Sequence, residues 1–258
     1  MEERLFLFGC EESYFFRDGT PFTAGEDIFL SSGFPPSGKV IQGAVRTALL
    51  SGHGVDFDKY YEGYCNVCQA SAEDCLVLRA VGSSRGGGED MELDFIGPFV
   101  TRTTNGTIER LYQAPYDLVQ LDGQGGLGRL TPSSQAVLTD LGPIFLPQTD
   151  ERCRSLTEAW IREGGLLNYL RGETVGVNKV YSWSPGFETF LFREERLGIA
   201  RCRETRAAQG GMLYAIQHVR LEAQFGLGVR VRGCPDVPLP SMVKLGGEGR
   251  LSSLTVQS

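Results

Sequence analysis

The stretch SGKVIQGAVRTALLSG, residues 37–52, is the clearest indication of structure in the sequence. Ser37 is a suitable helix N-cap, and Gly52 stands where a glycine commonly ends a helix. Lys39, Gln42 and Arg46 fall on the polar side of the predicted helix. Apolar residues recur at the three- and four-residue spacing of a buried helix face, namely Val40, Ile41, Ala44, Val45, Ala48 and Leu49.

Runs of strand-forming residues surround this helix on both sides. Residues 4–8 precede it, residues 91–100 and 111–121 follow it, and residues 187–192, 195–202 and 211–233 fill the last third of the chain. A second helix is predicted at residues 155–171, with Ser155 as N-cap and Glu158 three residues later. The sequence therefore predicts an α+β fold with two ferredoxin-like units, inserted loops and a Gly-rich C-terminal loop. We expect the units to cover residues 1–150 and 151–258.

The charge balance restricts where a nucleic acid could bind. The chain has 258 residues, of which 25 are basic and 32 acidic, so its formal net charge of −7 opposes nonspecific binding to phosphates. Any RNA site must therefore be local. Eight arginines and four acids lie between Arg193 and Arg232, which makes this segment net positive. A solvated strand face with mixed charges is the alternative explanation.

The sequence also indicates a compartment. No run approaches about 20 consecutive apolar residues, and the first residues lack the basic start and apolar run of a signal peptide. We expect a cytoplasmic protein with no membrane partner. Seven cysteines without an export signal favour free thiols or a metal site over a disulfide framework.

Three cysteines have a spacing that is typical of a metal site. Cys65 and Cys68 are separated by two residues, Cys75 follows, and His53 upstream could complete a tetrahedral ligand set. We expect that no cofactor is required, with a structural zinc ion as the one candidate. Free thiols are the alternative.

Two elements are suited to bind phosphate groups. Glycines in the segment KLGGEGR let backbone N–H groups approach an anion closely, and Arg250 could pair with it. Ser37, Gly38 and Lys39 open the predicted helix, where unpaired N–H groups and the helix dipole attract phosphate, and Gln42 and Arg46 could add contacts. An ordinary Gly-rich turn and an ordinary helix cap are the alternatives. The predicted loop contacts are Gly246, Gly247, Glu248, Gly249 and Arg250.

Four further residues complete the predicted RNA contacts. Alternate positions of a strand would place Arg203 and Thr205 on one face, beside Arg206, where guanidinium groups could follow a phosphate backbone. Arg17 could hold RNA or could brace its own loop through an ion pair with Asp18. A wet sheet face is the alternative for the residues near 205.

Three segments together resemble a known family. Residues 15–50 contain RDGTPF followed by PPSGKVIQGAVR, residues 195–222 read ERLGIARCRETRAAQGGMLYAIQHVRLE, and residues 244–254 read KLGGEGRLSSL. These segments resemble the third subunit of the type III-B, or Cmr, CRISPR effector complex, a member of the RAMP superfamily. The segments IGPFV, LYQAPYDLV and LTEAWIREGGLLNYLRG extend the resemblance over nearly the whole chain. The insertion from Cys65 to Cys75 is not part of that pattern.

The resemblance implies a non-catalytic subunit of an antiviral complex, with two RRM-like units, that binds the 5′ handle of the crRNA. Its implied partners are the crRNA, the large polymerase-type CRISPR subunit and the backbone RAMP subunits, with target RNA as an indirect partner. A related subunit of another type III subtype is also consistent with these residues.

Two other classes of function remain open from the residues. The first is a metal-independent endoribonuclease acting on repeat RNA, which would need a base such as histidine. Only His53 and His218 are present, and no Ser-His-Asp order, HExxH motif or paired-carboxylate metal site is found. The second is a zinc-dependent interaction module that binds no RNA.

Overall fold

The fold is described from a computed structural model that covers residues 3–17, 29–84, 90–123 and 125–257, without the side chains of residues 200, 201 and 208–213. The helices are α1 (Gly38–His53), α2 (Phe57–Tyr61), α3 (Leu76–Val81) and α4 (Glu163–Leu170), with a 3-10 turn at Val177–Lys179. The strands of the first half are β1 (Glu3–Cys10), β2 (Phe29–Leu30), β3 (Tyr64–Cys65), β4 (Ala70–Ser71), β5 (Asp94–Thr104), β6 (Thr107–Gln113) and β7 (Leu118–Leu121). The remaining strands are β8 (Leu127–Arg129), β9 (Thr131–Thr139), β10 (Gly142–Gln148), β11 (Cys153–Ser155), β12 (Trp160–Arg162), β13 (Val180–Tyr181), β14 (Leu191–Arg201), β15 (Ala208–Leu221), β16 (Phe225–Arg232), β17 (Met242–Lys244) and β18 (Leu251–Gln257).

The element order confirms the α+β class, with many strands and few helices. None of the helices in the described ranges has the length and apolar character that crossing a bilayer requires. Whether the units are ferredoxin-like stays a prediction.

The chain divides into two compact units, but not at residue 150. One unit consists of Met1–Thr101 and Leu191–Ser258, and the other of Arg102–Phe190. The observed boundaries differ from the expected division at residues 150 and 151. The reason is that β1 pairs with β16 on one side and with β18 on the other. This pairing places both ends of the chain in one sheet. Local sequence patterns do not encode such long-range pairing.

In the first unit, five strands are hydrogen-bonded in the order β5-β16-β1-β18-β17. Phe6 and Phe8 of β1 face Val229 and Leu227 of β16 in the antiparallel register, and all four side chains are buried. Helix α1 buries the face that its apolar spacing predicts, and it contacts α3 and β17. The buried residues of α1 are Ile41, Ala44, Val45, Ala48, Leu49 and Leu50.

Helix α1 continues past Gly52, where the sequence suggested that it ends. Its last residue is His53, and its C-cap is Gly54, which adopts the left-handed conformation with φ of 80°. Gly52 does not end the helix but is required for close packing, because a Cβ atom there would lie 1.8 Å from the Pro238 carbonyl oxygen. A glycine at this position lets the segment around Pro238 approach the helix backbone.

The first unit also contains a long antiparallel hairpin of β14 and β15. The short strand β2 pairs in parallel with β15, with Phe29 opposite Ala215 and Leu30 opposite Ile216. Phe15, Leu30 and Ile216 form a buried cluster at this junction. The hairpin is therefore anchored near residue 216, while its turn lies at residues 202–207.

The second unit has its own core, built from Leu118, Ile161, Val175 and Val180. In it β12 pairs with β6 and β13, β7 pairs with β11 and β8, and β9 pairs with β10. The predicted helix at 155–171 is correct only in its second half. Before Glu163 the chain forms the short strands β11 and β12 with a bend at residues 157–158 between them. Trp160 and Ile161 are buried in the sheet, and this burial outweighs their helical spacing.

Candidate nucleic-acid interface

The Gly-rich loop, defined as residues 246–250, joins β17 to β18 in the first unit. Gly246 has φ of 85°, and the N–H of Gly247 donates a 2.8 Å hydrogen bond to the Phe15 carbonyl. A Cβ atom on Gly246 would lie 2.5 Å from that same carbonyl oxygen. Position 246 therefore requires glycine for the loop to pack on Phe15. Gly249, with φ of 66°, has open space around it.

Arg250 is held by carboxylates of its own chain. Its Nη1 lies 2.8 Å from Glu12 Oε2, and its Nη2 lies 3.7 Å from Glu248 Oε2. The Arg250 side chain is 20% exposed, whereas the Glu12 side chain is 72% exposed. A phosphate that reached Arg250 would therefore compete with Glu12, an exposed surface carboxylate.

Glu248 connects the loop to a buried histidine. His218 is fully buried, its Nε2 lies 3.4 Å from Glu248 Oε2, and its Nδ1 lies 3.0 Å from Ser13 Oγ. Burial lowers the pKa of His218, and the nearby Arg196 and Arg250 lower it further. His218 is therefore neutral at physiological pH, and it supports the loop from beneath.

A continuous chain of contacts leads from the loop towards helix α1. Phe16 donates its backbone N–H to Ser32 Oγ at 2.9 Å, and Gly33 donates to the Phe16 carbonyl at 2.9 Å. Arg17 forms an isolated backbone bridge with Ser32 and has an exposed side chain. The structure thus brings Arg17 and the Gly-rich loop beside the segment that leads to Ser37. Asp18, its expected ion-pair partner, lies outside the described residues.

The first turn of α1, residues 37–39, is open to an anion. Ser37 takes the N-cap position without a side-chain cap hydrogen bond, and the first turn has no acidic residue. Ser37, Gly38 and Lys39 are exposed, and within the described ranges Lys39 forms no ion pair. Gly38, Lys39 and Gln42 line a depression of about 270 Å³ together with Phe95 and neighbouring residues of β5 and β16.

The two remaining predicted helix residues have partners inside the first unit. Arg46 Nη2 donates 2.7 Å hydrogen bonds to the Tyr60 hydroxyl and to the Ser83 carbonyl. Gln42 Nε2 lies 3.6 Å from Met91 Sδ. Arg46 therefore ties α1 to the following segment, while Gln42 remains next to the depression.

Arg203 and Thr205 do not share a strand face, contrary to the sequence expectation. They lie with Arg206 in the exposed turn between β14 and β15, where Arg206 has φ of 55° and its N–H donates to the Cys202 carbonyl at 2.9 Å. His218 lies ten residue steps along β15 from Ala208, a distance of roughly 33 Å at about 3.3 Å per step. The hairpin turn is therefore a second cationic position, remote from the Gly-rich loop.

Four of the eight arginines of the basic segment are paired with acids. Arg196 and Arg220 contact Glu194, and Arg230 and Arg232 contact Glu3. Within the part of the chain that the structure describes, Arg203 and Arg206 form no ion pair. The hairpin turn therefore presents two exposed guanidinium groups that have no carboxylate partner among the described side chains.

The four predicted metal ligands come together. The donor atoms of His53, Cys65, Cys68 and Cys75 all lie within 4.8 Å of one another. They lie at the end of α1, at the end of β3, in the turn before β4 and immediately before α3. The local spacing of the cysteines identified three of these residues.

Sequence reasoning missed Glu12 and Ser13 as parts of the site. Glu12 is 238 residues from Arg250, and Ser13 is 205 residues from His218. No local pattern marks either residue, since the antiparallel pairing of Tyr14 with Val219 is what brings this segment to the loop.

Comparisons with known proteins add a family. A family model described as CRISPR-associated protein (Cas_Cmr3) matches residues 11–258. A comparison with curated proteins gave no match.

Three solved structures of type III-B Cmr-beta are similar to the chain. One, bound to cognate target RNA, shares 15% identity, with a TM-score of 0.44 and coverage of 100% of this chain and 64% of that chain. A second, bound to cognate target RNA and AMPPnP, shares 14% identity, with a TM-score of 0.40 and coverage of 99% and 63%. A third, in the apo state, shares 11% identity, with a TM-score of 0.39 and coverage of 98% and 96%. The chain thus spans 63% to 64% of the length of the two RNA-bound chains.

Proposed function

Since the chain belongs to the Cas_Cmr3 family of CRISPR-associated proteins, we propose that it is a non-catalytic, RNA-binding subunit of a type III-B effector complex. In this proposal it binds the 5′ handle of the crRNA in the cytoplasm and bridges the large polymerase-type subunit to the backbone RAMP subunits. Target RNA is an indirect partner. Two ferredoxin-like units of the RRM type are the architecture that we propose for this task.

The observation that carries the proposal is the open first turn of α1 in a strongly acidic chain. Lys39 has no carboxylate partner among the described residues, and the N–H groups of this turn have no acidic side chain near them in sequence. Helix N-termini bind phosphate through such N–H groups and the helix dipole. Exposed Arg17 lies on the contact chain that leads from the Gly-rich loop towards this turn.

The two histidines support a non-catalytic role. His218 is fully buried, so its imidazole cannot reach a 2′-hydroxyl group of bound RNA. His53 Nε2 lies 3.3 Å from Cys68 Sγ, within the thiol cluster. Neither histidine is therefore placed as the base that RNA cleavage without a metal needs.

The test is a Lys39→Ala variant assembled into the complex, with binding to a handle-bearing RNA measured over a range of salt concentrations. One lost phosphate contact lowers the slope of log K against log salt by about 0.7 on single strands, which is about fivefold in affinity at 0.1 M salt. We expect that loss with Lys39→Ala.

Lys59→Ala is the matched control, because Lys59 is an exposed lysine already paired with Glu62. It should leave the slope unchanged. Equal slopes for wild type and Lys39→Ala would show that the first turn of α1 does not contact the RNA. Specific cleavage of repeat RNA by the purified protein in EDTA, abolished by His53→Ala, would replace the proposal with an endoribonuclease.

A further inference from the structure

We propose that His53, Cys65, Cys68 and Cys75 bind one structural zinc ion, which clasps the end of α1 to the segment of residues 54–75. The ligands would be an imidazole nitrogen of His53 and three thiolates, a set that is common in structural zinc sites. The site does not depend on the proposed RNA function, and it lies in the insertion that the family resemblance does not cover.

The distances between donor atoms match a tetrahedral zinc site. Zn–S bonds of about 2.3 Å and Zn–N bonds of about 2.0 Å require S···S separations of about 3.8 Å and S···N separations of about 3.5 Å. Cys68 Sγ lies 3.6 Å from Cys75 Sγ and 3.3 Å from His53 Nε2. All four donor atoms lie within 4.8 Å of one another, so shifts of about 1 Å or less per side chain complete the tetrahedron.

The backbone around Cys65 is arranged to hold a thiolate. Cys65 ends β3, Cys68 lies in the turn that leads to β4, and the N–H of Cys68 donates to Cys65 Sγ at 3.4 Å. Hydrogen bonds from backbone N–H groups stabilise the negative sulfur that a metal ion needs. Asn66 fixes the base of the turn, because its side chain accepts from the Asp56 N–H at 2.7 Å.

Residues 54–74 have too few buried side chains to be stable through packing alone. Only Val55, Tyr60 and Cys65 are buried among them. Exposed apolar residues such as Tyr61 and Val67 do not contribute a core. Small segments of this kind usually need a metal or a disulfide to stay folded.

A zinc ion suits this segment better than a disulfide does. A disulfide bond requires sulfur atoms about 2.05 Å apart. Cys68 Sγ and Cys75 Sγ are separated by 3.6 Å. A disulfide would also involve only two of the three thiols, and it would not explain why His53 lies beside them. Three sulfurs and one imidazole nitrogen favour zinc over harder cations such as Mg²⁺ or Ca²⁺.

The clasp would fix the segment that Arg46 contacts. Tyr60 accepts from Arg46 and donates its hydroxyl proton to the Gly82 carbonyl at 2.8 Å. Zinc would therefore hold residues 65–75 at the end of α1, while Arg46 and Tyr60 hold the chain near Gly82. Binding deprotonates the three thiols and releases the protons to solvent, so zinc affinity should fall with acidity.

The experiment measures metal content in the purified full chain by elemental analysis. We expect about one zinc per chain in wild type, and less than a fifth of that in Cys68→Ser, which changes an exposed cysteine and leaves no cavity. Cys153→Ser is the matched control, because Cys153 is a free cysteine outside the cluster, and it should retain zinc.

Cobalt substitution gives an independent measurement. Cobalt-loaded wild type should show thiolate-to-cobalt charge transfer and the visible bands of a tetrahedral ion, which Cys68→Ser should lack. His53→Cys preserves four ligands, so it should retain the metal and shift these bands. It also keeps the test valid if Cys68→Ser does not fold.

Three outcomes would overturn the proposal. The first is a folded, metal-free wild type, from zinc-supplemented cultures, that does not take up cobalt. The second is a Cys68–Cys75 disulfide in the freshly purified protein. The third is an iron–sulfur absorption spectrum.

Discussion

Arg250 and Glu12, which are 238 residues apart in sequence, form a 2.8 Å ion pair that covers the guanidinium group of the Gly-rich loop. Because the pair is made with an exposed carboxylate, it contributes little to stability and competes with any incoming phosphate. We predict that Glu12→Gln strengthens binding of handle RNA about two- to fivefold at low salt without a change in the melting temperature.

Glu11→Gln is the control for that prediction. Glu11 is exposed and adjacent, so it changes the net charge equally without contacting Arg250. Equal gains from the two variants would show that overall charge, and not release of Arg250, strengthens binding.

The hairpin turn should contribute to RNA binding independently of the first turn of α1. Arg203 and Arg206 lie roughly 33 Å along β15 from the level of His218 and the Gly-rich loop. We predict that Arg203→Ala with Arg206→Ala weakens RNA binding by the assembled complex, and that this loss adds to the loss from Lys39→Ala within about 0.5 kcal/mol. A double-mutant cycle on binding free energies measures the coupling. A larger coupling energy would mean that the two positions belong to one site.

Two glycines of α1 should respond oppositely to alanine. A Cβ atom at Gly52 would meet the Pro238 carbonyl oxygen at 1.8 Å, whereas at Gly43 it would meet nothing within 4 Å. We predict that Gly52→Ala lowers the free energy of unfolding by about 1–3 kcal/mol, as overpacking does. Gly43→Ala should raise it by about 0.5–1 kcal/mol, because glycine costs a helix interior that much.

Chemical denaturation of the two alanine variants measures both effects. Gly52→Ala as stable as Gly43→Ala would show that the segment near Pro238 does not pack on α1.

His218 should make the protein less stable in acid. Its pKa is lowered in the folded state, mainly by burial and then by Arg196 and Arg250, while Glu248 opposes this effect. The unfolded chain therefore takes up a proton near the usual pKa of about 6.5, before the folded chain does. Stability is complete above that pKa and is lost as the pH falls towards the lower folded value.

We predict that His218→Gln flattens the dependence of unfolding free energy on pH between about pH 7.5 and 5.5, where one such group contributes up to about 1.4 kcal/mol per pH unit. The slope is the quantity to compare, because the substitution also changes packing at every pH. Parallel curves for the two proteins would contradict the prediction.

The buried face of α1 and the α+β class followed from periodicity, because a buried helix face must repeat every three to four residues. The positions of glycine were harder to interpret. Gly52 resembled a helix stop but permits a close approach of Pro238, and only a neighbour that is distant in sequence reveals that difference.

The candidate site was predicted in part for the same reason. Local chemistry marked the open first turn of α1, the Gly-rich loop and the cysteine spacing. It did not show that Arg46 binds Tyr60, because that contact depends on how the segment after α1 folds back. It also placed Arg203 and Thr205 on a strand, where the chain instead turns.

By itself, the sequence determined the amphipathic helix, the acidic charge with its local basic segment, the likeness to one family, and the candidate ligands for zinc. These properties depend on neighbouring residues or on totals. Tertiary structure alone decided that both chain ends share one sheet, that Glu12 covers Arg250, and that His218 lies under Glu248. Each of those contacts joins residues that are at least 30 positions apart, and strand pairing, which no local pattern encodes, brings them together.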